Sequence, residues 1–485
     1  MDFPRFVRYS LIGIGCLIAM SQLNCSAQNE SLRSQGAQAA PTAAPSIETV
    51  HGQLVVEPIR SRAGRIALPY VHYRHAGAKR PTVFFLGGGP GVSNLKFEPK
   101  PEWLRDFDVV LLEYRGVGRS SIELNSPHFA RGLKKLQGRL NSQDAEVMKA
   151  DFAAGFADLR KQGIVFDEFS IDALADDLER LRLALKLPAV YLVGHSFGTR
   201  VALSYQTRYR SSVAASLLFA MNTPGGFIWQ PEQTQAVLQR YRAYAARQRI
   251  EHADAFAQLI DAPQARPSRY GIFSLNDAKA LFVAFFLSFN VWTRDHAYQA
   301  LVSANEGSGG RWFLLDQSYD WFIRFGFNWA DFFLKAYTAD CDRDAIRRAD
   351  AQGGEAVFQS PSSVLFAGMD GYEAAGGRCQ PDAWTPDLRH TLAINGEFDT
   401  TTPLERRPAA LSDDQYIVIS GGGHADVLYP DHGRAATWMR NFFLQPQHRP
   451  PQTDAPPASA STPGVASEAA SAAPDLTPND TLKTE

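Results

Sequence analysis

The sequence predicts an α/β fold, a mostly parallel, doubly wound sheet carrying a large, mainly helical insertion. Three observations predict it. Short runs apolar on both faces recur along the chain: residues 82–86 (TVFFL), 108–112 (DVVLL), 189–193 (AVYLV) and 215–220. Strands that present apolar side chains to both sides suit a parallel sheet covered by helices on each face. Helical patterns fall between these runs, as in alternating βα units. Residues 225–384 alone break the alternation, being mostly helical in pattern and dense in aromatics (FVAFFLSFNVW, RWFLLDQSYDWFIRFGFNWADFF).

The elements follow in order. Residues 53–57 and 65–73 read as an opening pair of strands, ahead of the runs at 82–86 and 108–112. Ser170 is a good helix N-cap, and Leu174, Leu178, Leu181 and Leu185 then recur at helical spacing until Pro188 stops the pattern. Residues 200–209 read as a helix after the 189–193 strand. Residues 391–394 and 416–419 complete the strands, and 431–444 form a closing amphipathic helix. The expected organisation is a catalytic domain of residues 47–224 and 385–445, interrupted by a helical cap of residues 225–384.

The ends of the chain read differently. Arg5 and Arg8 precede an apolar run at 11–20, about half of the ~20 residues that a membrane-spanning helix needs. Cys25-Ser26-Ala27 then supplies small residues before a cleavage site after Ala27, so residues 1–27 read as an export signal and the protein as periplasmic or secreted. The alternative is a lipoprotein anchored at Cys25, with Gln22 standing where such signals usually carry an apolar residue; a membrane is expected as a partner only in that case. Residues 28–46 read as a flexible leader. Residues 446–485 are rich in Pro, Ala, Ser and Thr, with too few large apolar side chains to form a core, and are expected to be disordered. Cleavage after Ala27 leaves Cys341 and Cys379, either as one disulfide or as two buried thiols. The net charge of -2 gives no electrostatic reason to expect nucleic acid as a partner.

The chemistry centres on Gly194-His195-Ser196-Phe197-Gly198. This G-x-S-x-G directly follows a strand and directly precedes a helix, the context of a nucleophile elbow in the α/β-hydrolase fold. Side chains two residues either side of the serine would collide with neighbouring backbone, which glycine avoids. A serine hydroxyl needs a base, and in this fold the chain order is serine, acid, histidine. His424, in Gly421-Gly422-Gly423-His424 after the last strand, is the expected base. The acid should leave the preceding strand, where Asn395-Gly396-Glu397-Phe398-Asp399 offers two carboxylates. Asp399 is preferred because the hydroxyls of Thr400-Thr401-Thr402 can cap its turn; Glu397 and Asp426 are the competitors. The oxyanion needs two backbone N–H donors. Phe197 is expected to supply one and Gly88, with Gly89 second, the other, from the loop Gly87-Gly88-Gly89-Pro90-Gly91. His195 should point away from the hydroxyl. No metal-ligand cluster is evident in the sequence, and the chemistry needs no cofactor.

These stretches resemble the proline iminopeptidase and tripeptidyl-aminopeptidase family. Gly88-Gly89-Pro90-Gly91 is similar to its H-G-G-P-G. Residues 114–120 (YRGVGRS) are similar to D-Q-R-G-x-G-x-S, and residues 396–403 (GEFDTTTP) to the acid loop G-E-x-D-x-x-T-P. Cys379 shortly before Trp384 is similar to a pair in the tripeptidyl-aminopeptidase branch. Gly87 stands where the family has His, and Glu113-Tyr114 where it has Asp-Gln. The resemblance implies a serine aminopeptidase that releases residues or short peptides from peptide N-termini, with acidic cap residues binding the α-ammonium; Glu232, Glu306 and Asp320 are candidates. The alternative reading is an ester hydrolase with an apolar acyl pocket among the cap aromatics.

Overall fold

The computed structural model describes residues 46–77, 79–135, 142–228, 230–247, 269–270, 273–274, 289–290, 294, 321–352, 365–381, 384–429 and 432–448. The export signal, nearly all of the leader, the tail beyond 448, Glu306 and Asp320 lie outside the described residues.

The strands are β1 (Ile47–Ile59), β2 (Gly64–His75), β3 (Thr82–Leu86), β4 (Asp108–Leu112), β5 (Val190–His195), β6 (Val213–Phe219), β7 (Arg269–Tyr270), β8 (Phe273–Ser274), β9 (Thr391–Gly396) and β10 (Tyr416–Ile419). Eight of them form one sheet in the order β1-β2-β4-β3-β5-β6-β9-β10. The β1–β2 and β2–β4 pairs are antiparallel, and every later pair is parallel. The opening hairpin outruns the apolar pattern that predicts it. Its far ends are held by cross-strand pairing, Ile47 opposite His75. They are also held by Asp108, whose Oδ1 accepts from the His75 backbone N–H at 3.0 Å and meets its Nδ1 at 2.7 Å.

Every residue of β3, β4, β5 and β9 is buried. Alternate residues feed two cores, because successive strand side chains point to opposite faces. Phe84, Leu86, Val110, Leu112, Val190 and Leu192 enter one core. Val83, Phe85, Val109, Leu111, Tyr191 and Val193 enter the other, with Trp103, Met439 and Phe443.

Among the described residues the helices are α1 (Pro101–Leu104), α2 (Pro127–Lys134), α3 (Ser142–Lys161), α4 (Ile171–Ala184), α5 (Phe197–Arg208), α6 (Pro231–Arg247), α7 (Trp329–Ala339), α8 (Arg343–Ala351), α9 (Met369–Ala374) and α10 (His432–Phe443). Ser170 caps α4, accepting from Ala173 N–H at 3.3 Å, and Leu174, Leu178 and Leu181 are buried on its inner face. The helix ends ahead of Pro188, where Lys186 turns the chain at φ 54°.

Helices α6 to α9 lie in the long insertion between β6 and β9, the segment expected to form the cap, with β7, β8 and the described residues around 289–294 and 321–328. One device ties it down and a second braces it from within. Arg200 of α5 grips Asp340 through both terminal guanidinium nitrogens, Nη1 and Nη2, at 2.9 and 2.7 Å. Asp340 also accepts the N–H groups of Gly225 and Phe227 at 2.9 and 2.7 Å. A buried ion pair repays its desolvation only when its remaining polar atoms are bonded in this way. The second device is covalent: Cys341 and Cys379 are joined, with their Cα atoms 5.6 Å apart. This decides between disulfide and free thiols.

Candidate active site

Four parallel strands end at the same edge of the sheet, and each hands one piece of the site to the loop that follows it. Ligands in open α/β sheets bind outside these carboxyl ends.

The elbow follows β5. Ser196 sits at φ 53°, ψ -121°, a conformation that costs a non-glycine residue on the order of 1–3 kcal/mol. The surrounding backbone enforces it. A Cβ at Gly198 would lie 1.9 Å from Leu86 O, and one at Gly194 2.9 Å from Thr199 Cα. Ser196 N–H donates to Phe219 O at 2.9 Å, which ties the turn to the end of β6.

His424 Nε2 lies 2.9 Å from Ser196 Oγ, and His424 Nδ1 lies 2.7 Å from Asp399 Oδ2. All three side chains are buried. With Nδ1–H donating to the carboxylate, Nε2 offers its lone pair to the serine hydroxyl. Burial alone would raise the pKa of Asp399. The His424 ring, the Thr402 hydroxyl and the Thr402 backbone N–H outweigh it and hold the carboxyl below its ordinary value. The expected cap is present, though mainly through backbone: Thr401 and Thr402 N–H donate to Asp399 Oδ1 at 2.8 and 2.9 Å. Of the competitors, Glu397 accepts from Ser420 Oγ and Gly421 N–H, both at 2.8 Å. Asp426 accepts from Gly423 N–H at 2.7 Å.

His195 turns from the hydroxyl. Its Nε2 lies 3.2 Å from the backbone oxygen of His424. Burial and the neighbouring His424 push its pKa down to about 3, so it is neutral at pH 7.

The two expected oxyanion donors flank Ser196. Phe197 is the first residue of α5, where helical N–H groups lack an intrahelical acceptor. Gly88 lies against Ser196, since a Cβ there would fall 2.8 Å from Ser196 Cβ. Gly89 instead faces the cap, where a Cβ would meet Phe327 at 2.8 Å. Gly87 is committed elsewhere: its N–H donates to Asn94 Oδ1 at 2.7 Å and its carbonyl accepts from Tyr114 Oη at 3.2 Å.

Sequence reasoning missed the residues that brace this loop. Glu113 is buried and accepts from Ser93 Oγ, Asn94 N–H and Arg119 N–H at 2.7, 3.0 and 3.1 Å. Asn94 in turn ties Gly87 to the carbonyls of Phe85 and Leu112. The signal in the sequence was Glu113 itself, a carboxylate directly after an apolar strand. From the cap, Phe289 O accepts from Ala425 N–H at 2.7 Å and Arg294 donates to Gly421 O at 2.8 Å. Of the three candidate carboxylates for an amine, only Glu232 lies within the described residues; it is exposed in the first turn of α6.

Fold and elbow together define a class, the hydrolases built on this sheet. The chain belongs to the alpha/beta hydrolase fold family, whose model matches residues 81–431. Among solved structures it is similar to a thermophilic esterase from Thermogutta terrifontis, at 16% identity over 82% of this chain and 99% of that one, with a TM-score of 0.33. It is also similar to 2-hydroxy-6-oxo-6-phenylhexa-2,4-dienoate hydrolase from a Rhodococcus species, at 15% identity over 82% and 99%, TM-score 0.36. A proline iminopeptidase-related protein from Thermus thermophilus matches at 17% identity over 81% and 97%, TM-score 0.34. No curated protein matches the chain.

Proposed function

We propose that the protein is a serine hydrolase working by acyl transfer to Ser196, and that its substrates are short peptides cut near a free N-terminus. The observation that carries the first part is the continuous chain Ser196 Oγ, His424, Asp399 at 2.9 and 2.7 Å. In this reading His424 takes the hydroxyl proton as Ser196 attacks the substrate carbonyl. Phe197 and Gly88 N–H groups receive the oxyanion, and His424 returns the proton to the leaving amine. Water, activated by the same histidine, then releases the acyl group. Asp399 holds the imidazole in the tautomer this needs.

The peptide part rests on the sequence resemblance in residues 88–91, 114–120, 194–198 and 396–403. An aminopeptidase recognises a free α-ammonium through a charge-assisted contact with a carboxylate. Acetylating the substrate N-terminus removes that charge and leaves the carboxylate unpaired, at a cost of roughly a hundredfold or more in kcat/KM. The test compares free and N-acetylated versions of one short peptide amide. Equal rates on the two, or no peptide cleavage, would transfer the preference to an ester hydrolase. Such an enzyme would gain rate with acyl-chain length on p-nitrophenyl esters.

The same reading places the enzyme outside the cytoplasm, with a mature chain starting at Gln28. The Cys341–Cys379 disulfide supports it, since such bonds persist in oxidising compartments. Sequencing the N-terminus of the exported protein tests it; an intact Met1 would refute it.

A further inference from the structure

Helix α7 meets the glycine loop beside the nucleophile end-on. Gly91 N–H donates to Asp331 Oδ2 at 2.7 Å, and Gly91 O accepts from Asn328 N–H at 2.9 Å. Contact is close enough to dictate sequence. A Cβ at Gly91, which has φ +84°, would lie 2.4 Å from Asn328 O. With Gly89 against Phe327, two glycines of the loop answer to the cap and only Gly88 to the nucleophile.

The other carboxylate oxygen of Asp331 is held by Lys335, one turn further along α7. The Lys335 ammonium also reaches Arg115 O at 3.4 Å, in the loop after β4. Both side chains are almost completely buried, at 1% and 0% exposure. Burial opposes both charges, pushing the Asp331 carboxyl up and the Lys335 ammonium down despite their pairing. Two apolar side chains would fill this space at lower cost. What they would not supply is an acceptor for Gly91 N–H. Between Gly91 and Gly88 stand only Gly89, packed against Phe327, and Pro90, whose ring fixes its φ, so few torsions are left to absorb a shift at Gly91 before it reaches Gly88.

We propose that Asp331 is a positioning residue for the reaction: from the cap, through Gly91, it sets the Gly88 N–H opposite Ser196, so that the oxyanion site is complete only when α7 is seated. This rests on the acyl-transfer reading above.

The test avoids leaving a buried charge alone. In a Lys335→Met background, Asp331→Asn keeps an acceptor for Gly91 N–H, whereas Asp331→Leu has none. Both are assayed for kcat and KM on p-nitrophenyl acetate, for Ser196 labelling by a fluorophosphonate, and for thermal unfolding. The Leu double variant should lose on the order of a hundredfold in kcat and labelling rate with KM within about threefold, as for a misplacement near 1 Å. The Asn double variant should recover most of that loss at a similar melting temperature. Equal kcat in the two doubles, or losses that follow melting temperature, would overturn the proposal. Should the Leu variant not fold, Gly91→Ala pushes the loop off Asn328 with the ion pair intact, and an undiminished kcat there would overturn it equally. Ser196→Ala is run alongside. Activity surviving in it would refute the acyl-transfer reading itself, whereas an inactive Ser196→Ala with a fully active Leu variant would refute only the role of Asp331.

Discussion

Two carboxylates leave β9 two positions apart, and only one of them reaches His424. Asp399 accepts at both oxygens within its own turn and from the imidazole, whereas Glu397 closes the turn after β10 through Ser420 and Gly421. Asp399→Asn should therefore lower kcat on the order of 10^4-fold by favouring the wrong tautomer of His424. Glu397→Gln should cost less than about tenfold, because the amide oxygen still accepts from Gly421 N–H. Steady-state kinetics of the two variants check this, and the reverse ranking would mean the acid is misassigned. His195 carries a pH prediction. Its folded pKa, near 3, lies below the ordinary value of 6.5, so the unfolded chain binds a proton that the native protein refuses. Its contribution to stability is complete above pH 6.5 and is lost as the pH falls toward 3, by about 1.4 kcal/mol per unit. His195→Gln should remove that part of the slope, measured by urea unfolding at pH 7, 6, 5 and 4. An unchanged slope would contradict the neutral, buried histidine. The choice between Glu397 and Asp399 was legible only as a preference, because both lie on the right loop and sequence spacing carries no side-chain direction.

Among the elements, α7 does the most joining. Its N-terminal end holds Gly91 through Asn328 and Asp331. Just past its C-terminal end, Asp340 holds Arg200 on α5, and Cys341 is bonded to Cys379 ahead of β9. The disulfide closes a sequence separation of 38, for which restriction of the unfolded chain contributes about 4 kcal/mol in the chain-entropy model. Cys341→Ala with Cys379→Ala should lower unfolding stability by up to that amount in a denaturant titration. A double variant as stable as the parent would show that the bond is stabilising nothing. Helix α7 was visible in sequence only as part of an aromatic-rich stretch. Asp331 and Lys335, four residues apart, carry no local sign of burial, which follows from their contacts with Gly91 and Arg115 in the loops after β3 and β4.

At the scale of the molecule, cap and sheet are locked together by a charge pair with no exposure to speak of, Arg200–Asp340 at 0% and 1%. Removing Asp340 takes the bidentate carboxylate from a fully buried guanidinium. Asp340→Ala should thus cost about 3–5 kcal/mol, while Arg200→Met with Asp340→Asn should cost less, because no charge is left buried alone and the amide oxygen still accepts one of the Gly225 and Phe227 N–H groups. Urea unfolding of the single and double variants separates the two. A mild Asp340→Ala would mean that the cap relaxes and water reaches Arg200. The sequence by itself determined the parallel sheet, the elbow at Ser196 and the loops on which His424 and Asp399 lie. Each of these rests on local signals: apolar runs, a glycine spacing that one sharp turn requires, and chain order after successive strands. Only the tertiary structure decided that Asp399 rather than Glu397 faces the histidine, that Cys341 and Cys379 are bonded, and that Glu113, Asn94 and Asp331 hold the glycine loop. Those outcomes depend on groups brought together across as many as 240 positions, where local propensity is silent and packing and the pairing of buried charges select the partners.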